Sequence, residues 1–423
     1  MAEKPVRVGI VGLGRGMSFI RQSQPSVGME LVALCDIWED RLREVGTEHG
    51  VTTYTDFDAF LEHDMDAVIL ANYFHEHAPM AIKALRSGKH VMSETAACFT
   101  PAEGIALVRE VERSGLIYML ADQYPFMVFN QEMRHLYQSG EVGTLQYAEG
   151  EYIHPLGARF GNSISIGMDH WRNWLPATYY CSHALAPLMY ITGAQPVAVN
   201  GFVVPYDYED ENRARTVRRS DTAGMIVLQT ADGALLKLLQ SGLRGEGNWV
   251  RVHGNKALME NGRGPHNQFV RVHRERFDKG EGQPAETTYL PDFPIHHDEA
   301  KRSGHDGGDF FMNYFFAEAV RTGEQPFFDV YRGVTMALVG IQAYRSALNN
   351  STRLEIPDLR DEKARSVFEN DHWRPGPDPV TRQPGDPAPS VLGDIEPPAA
   401  GRRYAEEVWA NTAELLYGGG VPE

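Results

Sequence analysis

Over residues 1–123 short apolar runs alternate with stretches whose apolar positions recur at helical spacing. Runs at 6–11, 30–35, 66–71, 89–92 and 117–121 read as strands, and the stretches 17–25, 39–48, 55–62, 77–87 and 101–114 read as helices. This alternation predicts an α/β unit, a doubly wound parallel sheet flanked by helices. From about residue 125 the rhythm changes. A helix at 127–139 leads into longer runs at 144–154, 196–204, 222–230, 234–241, 249–253 and 257–260, with the hairpin signal Asp232-Gly233 between two of them. Strands joined by short turns predict an α+β unit with a largely antiparallel, open sheet, followed by helices near 307–321 and 332–348. After Pro357 the chain turns rich in Pro, Gly and Asp. That stretch reads as an extended wrap closed by a short helix near 402–416. The expected division is 1–124, 125–360 and a C-terminal extension at 361–423, with no internal repeat.

The first apolar run breaks into glycines: Val6-Arg7-Val8-Gly9-Ile10-Val11-Gly12-Leu13-Gly14-Arg15-Gly16-Met17. Glycines at 12 and 14 permit a sharp strand-to-helix turn and a close backbone approach to a pyrophosphate, which the helix N-terminus favours. The second run, Leu31-Val32-Ala33-Leu34-Cys35, ends in Asp36, twenty residues after Gly16. A carboxylate there accepts both ribose hydroxyls of an adenosine and repels a 2′-phosphate. Strand, turn, helix, strand and acid in this order predict a Rossmann site for NAD in preference to NADP, formed by Gly12, Leu13, Gly14, Arg15, Gly16, Met17 and Asp36. Met17 takes the third fingerprint position, where a glycine would allow closer helix–strand packing. A tight turn without a ligand is the bland alternative.

Composition is that of an ordinary globular protein. The formal charge of −17 argues against nucleic acid and anionic membrane surfaces as partners. No apolar stretch is long enough to span a bilayer, and the first strand begins too close to Met1 to leave room for a signal peptide. Cys35, Cys98 and Cys181 are far apart without metal spacing, which suits reduced thiols and a cytoplasmic location. The antiparallel sheet is expected to serve as the face of a homo-oligomer, a dimer or a tetramer.

Further motifs narrow the function. Ala71-Asn72, His77-Ala78-Pro79 and Ala84-Leu85-Arg86-Ser87-Gly88-Lys89-His90-Val91 resemble the third βα unit, and the approach to the fourth strand, of the Gfo/Idh/MocA superfamily of NAD(P)-dependent sugar enzymes. The resemblance covers roughly residues 5–360 and implies that Asn72, His77 and Glu94 join the cofactor site. That family continues into Glu-Lys-Pro, with a catalytic lysine, where this chain reads Ser93-Glu94-Thr95-Ala96. Its dehydrogenases carry Asp-x-Gly-x-His-x-x-Asp, where this chain reads Tyr179-Tyr180-Cys181-Ser182-His183-Ala184-Leu185-Ala186. The histidine is kept; the lysine and both aspartates are not. A threonine cannot replace a lysine as the group that takes a hydroxyl proton. In this respect the chain is similar to the superfamily's NAD-dependent glycosidases of the α-N-acetylgalactosaminidase type. These have Ser-Glu-Val-Pro-Ala opposite Ser93–Ala97 and Tyr-Pro-Thr-His-x-Leu-Gly-Pro opposite Tyr180–Pro187. Tyr124, Gly304-His305-Asp306-Gly307-Gly308-Asp309-Phe310-Phe311, Phe328-Asp329-Val330-Tyr331 and Glu355-Ile356-Pro357-Asp358 also look like that branch.

The resemblance implies a redox-neutral glycoside hydrolysis: oxidation at the sugar's 3-carbon, loss of the 2-carbon proton, elimination of the aglycone, water addition and re-reduction. His183 is the expected handler of the 3-hydroxyl proton, or a hydrogen-bonded histidine on a helix. Tyr124 and Tyr180 are expected at the 2-carbon proton or the leaving group, or are core rings. Glu94 orients a hydroxyl or the nicotinamide ribose, or is a structural partner. Trp171, Arg172 and Trp174 offer rings for a sugar face and a cation for an anionic substituent, or anchor a loop. His305 is expected to reach substrate, while Asp306 and Asp309 read as capping or first-turn residues. His75 and His77 lack the spacing of a zinc pair and His296-His297-Asp298 lies in a loop, so no metal is expected. The rivals are a sugar dehydrogenase or 3-keto-forming oxidoreductase, and a non-catalytic NAD- or sugar-responsive binding protein.

Overall fold

The computed structural model describes residues 4–412 except 208, 246 and 381. Strands β1 (Val6–Val11), β2 (Met29–Cys35), β3 (Thr52–Tyr54), β4 (Ala67–Leu70), β5 (His90–Glu94) and β6 (Tyr118–Ala121) form one sheet in the order β3-β2-β1-β4-β5-β6. Every neighbouring pair is parallel. Val8, Ile10 and the whole of β4 are shut off from solvent, which is why these strands read as unbroken apolar runs. The connecting helices carry clear stop and start signals. Thr100 and Glu103 form a reciprocal capping box with Pro101 in the first turn of helix Pro101–Ser114, and Gly115 in the left-handed region ends it. Strand order reverses between β1 and β4, and the crevice above their C-terminal ends is where such sheets bind ligands.

The second sheet comprises β7 (Leu145–Ile153), β8 (Pro196–Val204), β9 (Ala223–Thr230), β10 (Leu235–Ser241), β11 (Asn248–Gly254), β12 (Leu258–Asn261), β13 (Val270–His273), β14 (Glu286–Tyr289) and β15 (Leu354–Glu355). Its order is β14-β13-β12-β11-β7-β10-β9-β8-β15. It is antiparallel apart from the parallel pair β7–β10, and Asp232-Gly233 makes the β9–β10 hairpin. Helix Ser182–Thr192 packs on this sheet. A side chain at Gly150 of β7 would lie 2.1 Å from the carbonyl oxygen of Ala184, so glycine is what admits the helix backbone there. That contact sets His183 beside β7. Another stretch of the sheet carries linked ion pairs, Lys237–Glu149 at 2.6 Å and Arg251 and Arg271 on Glu260 at 2.9 and 2.6 Å.

Four strands escape the sequence reading, β3, β13, β14 and β15. Each is only two to four residues long, and β3, β14 and β15 have only exposed or half-buried positions, while β13 buries Val270 and Val272 alone. The last helix runs Ala399–Ala410, earlier than the 402–416 expected, and residues 413–416 lie outside the described residues. The stretch before it is not wholly extended, since Glu362–Ser366 is helical. The C-terminal helix is anchored by Trp409, whose Nε1 donates to the carbonyl of Asn162 at 3.0 Å, and by Tyr404 under the Arg215 guanidinium.

Candidate functional site

The crevice is built first by the β1 turn. Gly12 has φ +91°, and a Cβ there would lie 2.6 Å from the carbonyl oxygen of Ala71. A Cβ on Gly14 would meet nothing within 4 Å, so this face of the turn is open. Gly16, not position 17, gives the close helix–strand contact: its Cβ would stand 3.3 Å from Ile10 Cγ2, while Met17 packs half-buried against the core. Asp36 accepts from the backbone N–H of Leu13 at 2.6 Å and of Trp38 at 2.8 Å. Each carboxylate oxygen keeps a lone pair for a ribose hydroxyl. Asn72 Oδ1 and His77 Nε2 are buried without a partner, and His77 Nδ1 is taken by the carbonyl of Ala96 at 3.0 Å. An open glycine turn, an acid at the second strand and two orphaned polar atoms fit a dinucleotide.

Arg15 is engaged by two acids within the crevice. Its Nε donates to Glu94 at 2.7 Å and its Nη2 to Asp309 at 3.0 Å, tying the turn to β5 and to helix Gly308–Thr322. Both Glu94 oxygens are engaged: Arg15 holds Oε1, and Thr95 donates its backbone N–H at 2.9 Å and its hydroxyl at 3.2 Å to Oε2. Burial favours the neutral acid, but Arg15 outweighs it and holds Glu94 below the usual carboxylate range. Asp309 is likewise held at about 2: burial opposes ionisation, and His305 and Arg15 overcome it. His305 Nδ1 donates to Asp309 at 3.0 Å, and its ring stands 6.0 Å from Tyr124.

The chemistry gathers around His183. Its Nδ1 donates to Asp122 Oδ2 at 3.0 Å, and both side chains are buried. Asp122 Oδ1 accepts the backbone N–H of Tyr124 at 3.2 Å, which fixes the carboxylate. Three tyrosine rings wall the imidazole: Tyr124 at 4.6 Å, Tyr180 at 4.7 Å and Tyr152 at 4.8 Å between centroids. Burial pushes all three phenols up, with the Tyr124 hydroxyl facing Tyr152 and Asn248, and that of Tyr180 facing Thr95. They are neutral donors near pH 7. The Tyr180 hydroxyl meets Thr95, which donates to Glu94, so the cluster is continuous with the cofactor crevice.

A cleft of about 100 Å³ opens beside this cluster, lined among others by Tyr152, His154, Trp171, Arg172, Tyr180 and Arg218. His154 stacks on Tyr152, and burial lowers its affinity for a proton. Arg172 lies over Trp171 at 4.3 Å. Trp174 is turned instead to Phe99 and His75, and its Nε1 donates to the carbonyl of Asp169. A larger groove, about 550 Å³, between Thr100–Glu103 and Asn370–Asp386 shares no residue with the cluster. The structure thus brings His183, Tyr124, Tyr180, Trp171 and Arg172 together, with Glu94 and His305 linked through Arg15 and Asp309. Sequence reasoning missed Asp122, Tyr152, His154 and Arg218. Asp122 had a signal, an acid directly after a parallel strand; the i, i+2 pair Tyr152 and His154 at the end of β7 had a weaker one. No group of metal-ligating side chains occurs among the described residues, and none of their helices is long and apolar enough to cross a membrane.

Comparison with known proteins agrees with this architecture. Residues 6–122 match the model of an oxidoreductase family with an NAD-binding Rossmann fold. Residues 271–365 match that of the C-terminal domain of glycosyl hydrolase 109. The chain is 25% identical over 400 residues to a glycosyl hydrolase family 109 protein of Shewanella sp. strain ANA-3, covering 84% of this chain and 85% of that one. It is 24% identical over 398 residues to an alpha-N-acetylgalactosaminidase of Shewanella oneidensis, with the same coverage. Among solved structures it resembles a levoglucosan dehydrogenase in complex with NADH and levoglucosan, with a TM-score of 0.72, 18% identity and coverage of 84% of this chain and 100% of that one. An aldose-aldose oxidoreductase from Caulobacter crescentus superposes with a TM-score of 0.66 at 20% identity, covering 83% and 99%. NAD is the cofactor of this fold, and the chain is similar to the NAD-binding Gfo/Idh/MocA oxidoreductases over residues 6–122 and to the C-terminal domain of glycosyl hydrolase family 109 over residues 271–365.

Proposed function

We propose that the protein is an NAD-dependent glycoside hydrolase that oxidises and re-reduces its sugar within one turnover. One observation carries the reading: a buried Asp122–His183 pair, walled by tyrosines, opens from the cofactor crevice at the strand end where Thr95 replaces the lysine of the superfamily's dehydrogenases. When bound between Gly12–Met17, Asp36, Asn72 and His77, NAD supplies reversible hydride acceptance at one sugar carbon.

The chain's own residues handle the protons. Asp122 accepts the Nδ1 proton of His183, which leaves Nε2 as the basic nitrogen to take the 3-hydroxyl proton, and the carboxylate stabilises the imidazolium that results. Glu94, held ionised by Arg15, acts by fixing Arg15 and Thr95. Tyr124 and Tyr180, held protonated, donate hydrogen bonds to a leaving oxygen in place of the base role weighed above. His154, a neutral imidazole on the same cleft, is the group available for the 2-carbon proton. The family 109 relatives support the hydrolytic reading. The His183–Asp122 pair serves a sugar oxidoreductase equally well, and that is the second reading.

The test is a panel of aryl glycosides with purified protein and NAD⁺, followed at 340 nm and by aglycone release. Aglycone release without NADH accumulation, with deuterium entering the 2-carbon in D₂O, is expected. Stoichiometric NADH without aglycone establishes the oxidoreductase, and full cleavage by protein stripped of NAD defeats both.

A further inference from the structure

Two guanidinium groups in the cleft have no counter-ion. Arg172 and Arg218 both line it, and neither makes an ion pair with any carboxylate among the described residues. Arg172 rests on the Trp171 ring, so its edge is free for a ligand. Arg218 is half-buried: burial first, then the charges of Arg213 and Arg172, push its pKa down to about 10. Like charges gathered in a partly dehydrated cleft oppose one another, and an anion relieves that cost.

The acid that lines the cleft is engaged elsewhere. Asp221 lines the same cleft, but its Oδ1 accepts from the Ser390 hydroxyl at 2.6 Å and its Oδ2 from the Val391 backbone N–H at 3.1 Å. Arg213, the third cation near the cleft, is already engaged by the Thr222 hydroxyl at 2.8 Å, the Asp221 carbonyl and the Tyr206 ring. The C-terminal segment therefore engages both oxygens of the one carboxylate that lines the cleft among the described residues. What remains is a polar floor with two arginine forks beside the tyrosine-walled histidine.

We infer that Arg172 and Arg218 form an anion subsite, and that the substrate is a sugar bearing a carboxylate or a sulfate ester, not a neutral one. This rests on the sugar-binding reading of the cleft above but is separable from its hydrolytic part. Guanidinium forks match the paired oxygens of both groups. Uronic acids and sulfated sugars share that chemistry, and the assay distinguishes them.

The experiment measures calorimetric binding of glucuronate, galacturonate, glucose 6-sulfate, galactose 6-sulfate, glucose and galactose to the protein saturated with NAD⁺. At least one anionic sugar is expected to bind at least about tenfold more tightly than its neutral counterpart, since a charge-assisted hydrogen bond is involved. Arg218→Gln and Arg172→Gln are each expected to remove about tenfold or more of that affinity while NAD⁺ binding is unchanged. Arg218→Lys, which keeps the charge, is expected to retain part of it and carries the test if Arg218→Gln does not fold. A neutral sugar binding as tightly as the anionic ones, or anionic binding unaffected in both glutamine variants, overturns the subsite. Hydrolysis of neutral aryl glycosides by Arg218→Gln at the wild-type rate overturns the subsite while hydrolysis stands. Uronate or sulfated-sugar binding that needs Arg218, with no aglycone ever released, leaves the subsite and removes the hydrolase.

Discussion

Asp122→Asn isolates the pair on which the proposed chemistry turns. The two side chains have the same shape, Asp122 is wholly buried, and its two oxygens hold the Tyr124 N–H and the His183 Nδ1–H. An asparagine satisfies the Tyr124 N–H only with its carbonyl oxygen there, which turns its NH₂ toward His183. The imidazole must then accept at Nδ1 and carry its proton at Nε2, the nitrogen proposed to receive the sugar's proton. Loss of a positioned base costs ~10²–10⁴-fold in turnover, so kcat is expected to fall by at least a hundredfold with KM little changed. The cost in stability is about 1–3 kcal/mol, a lost charge-assisted hydrogen bond. The assay is aglycone release, or NAD⁺ reduction, with whichever sugar the wild-type protein turns over, alongside a melting curve and NADH fluorescence. A double-mutant cycle adds a second readout: in a His183→Ala background, Asp122→Asn is expected to cost almost nothing more, because the residues act as a unit. Turnover of folded, NAD-binding Asp122→Asn within about threefold of wild type, or additive losses in the cycle, refutes the assignment.

Three further outcomes follow from the cofactor crevice and the ion-pair cluster. Gly12→Ala forces a Cβ against the Ala71 carbonyl at φ +91°, and is expected to cost about 1–3 kcal/mol and most NAD binding, read by thermal melting and NADH fluorescence. Asp36→Ala is expected to weaken NAD binding and erase its preference over NADP; unchanged selectivity in a cofactor titration refutes the ribose role. Asp309, held at about 2 against an ordinary value of 3.8, contributes stability that is fully present above pH 4 and is lost as pH falls toward 2. The excess stability of wild type over Asp309→Asn, about 2 kcal/mol near neutrality, is therefore expected to shrink in that window, measured by urea unfolding at stepped pH.

Apolar patterning and punctuation were enough to read the parallel sheet. Strands such as β1 and β4 are buried on both faces, so periodicity and burial coincide, and capping residues such as Thr100, Glu103 and Gly115 act within a few residues of themselves. The glycine turn and Asp36 were legible for the same reason: their roles follow from local backbone needs. β3 and β13–β15 were not, because each is only two to four residues long, too short for a periodic pattern to stand out, and the partner strand fixes it.

The site residues divide along the same line. Sequence singled out His183, Tyr124 and Tyr180 as side chains able to move or hold a proton, and Thr95 as one that cannot replace a lysine. It could not say which residue completes His183, because Asp122 stands 61 positions away and meets it only where β6 ends against helix Ser182–Thr192. Nor could it show that Arg15 is spent on Glu94 and Asp309, across 79 and 294 positions. Arg218 in sequence is one cation in the Arg213–Arg219 stretch. Only packing decides that Arg213 is engaged, that Asp221 is drawn off by Ser390, and that Arg218 is left facing the cleft. Charge and hydrogen-bonding capacity are written in residue type, but their satisfaction depends on which distant groups the fold brings within about 3 Å.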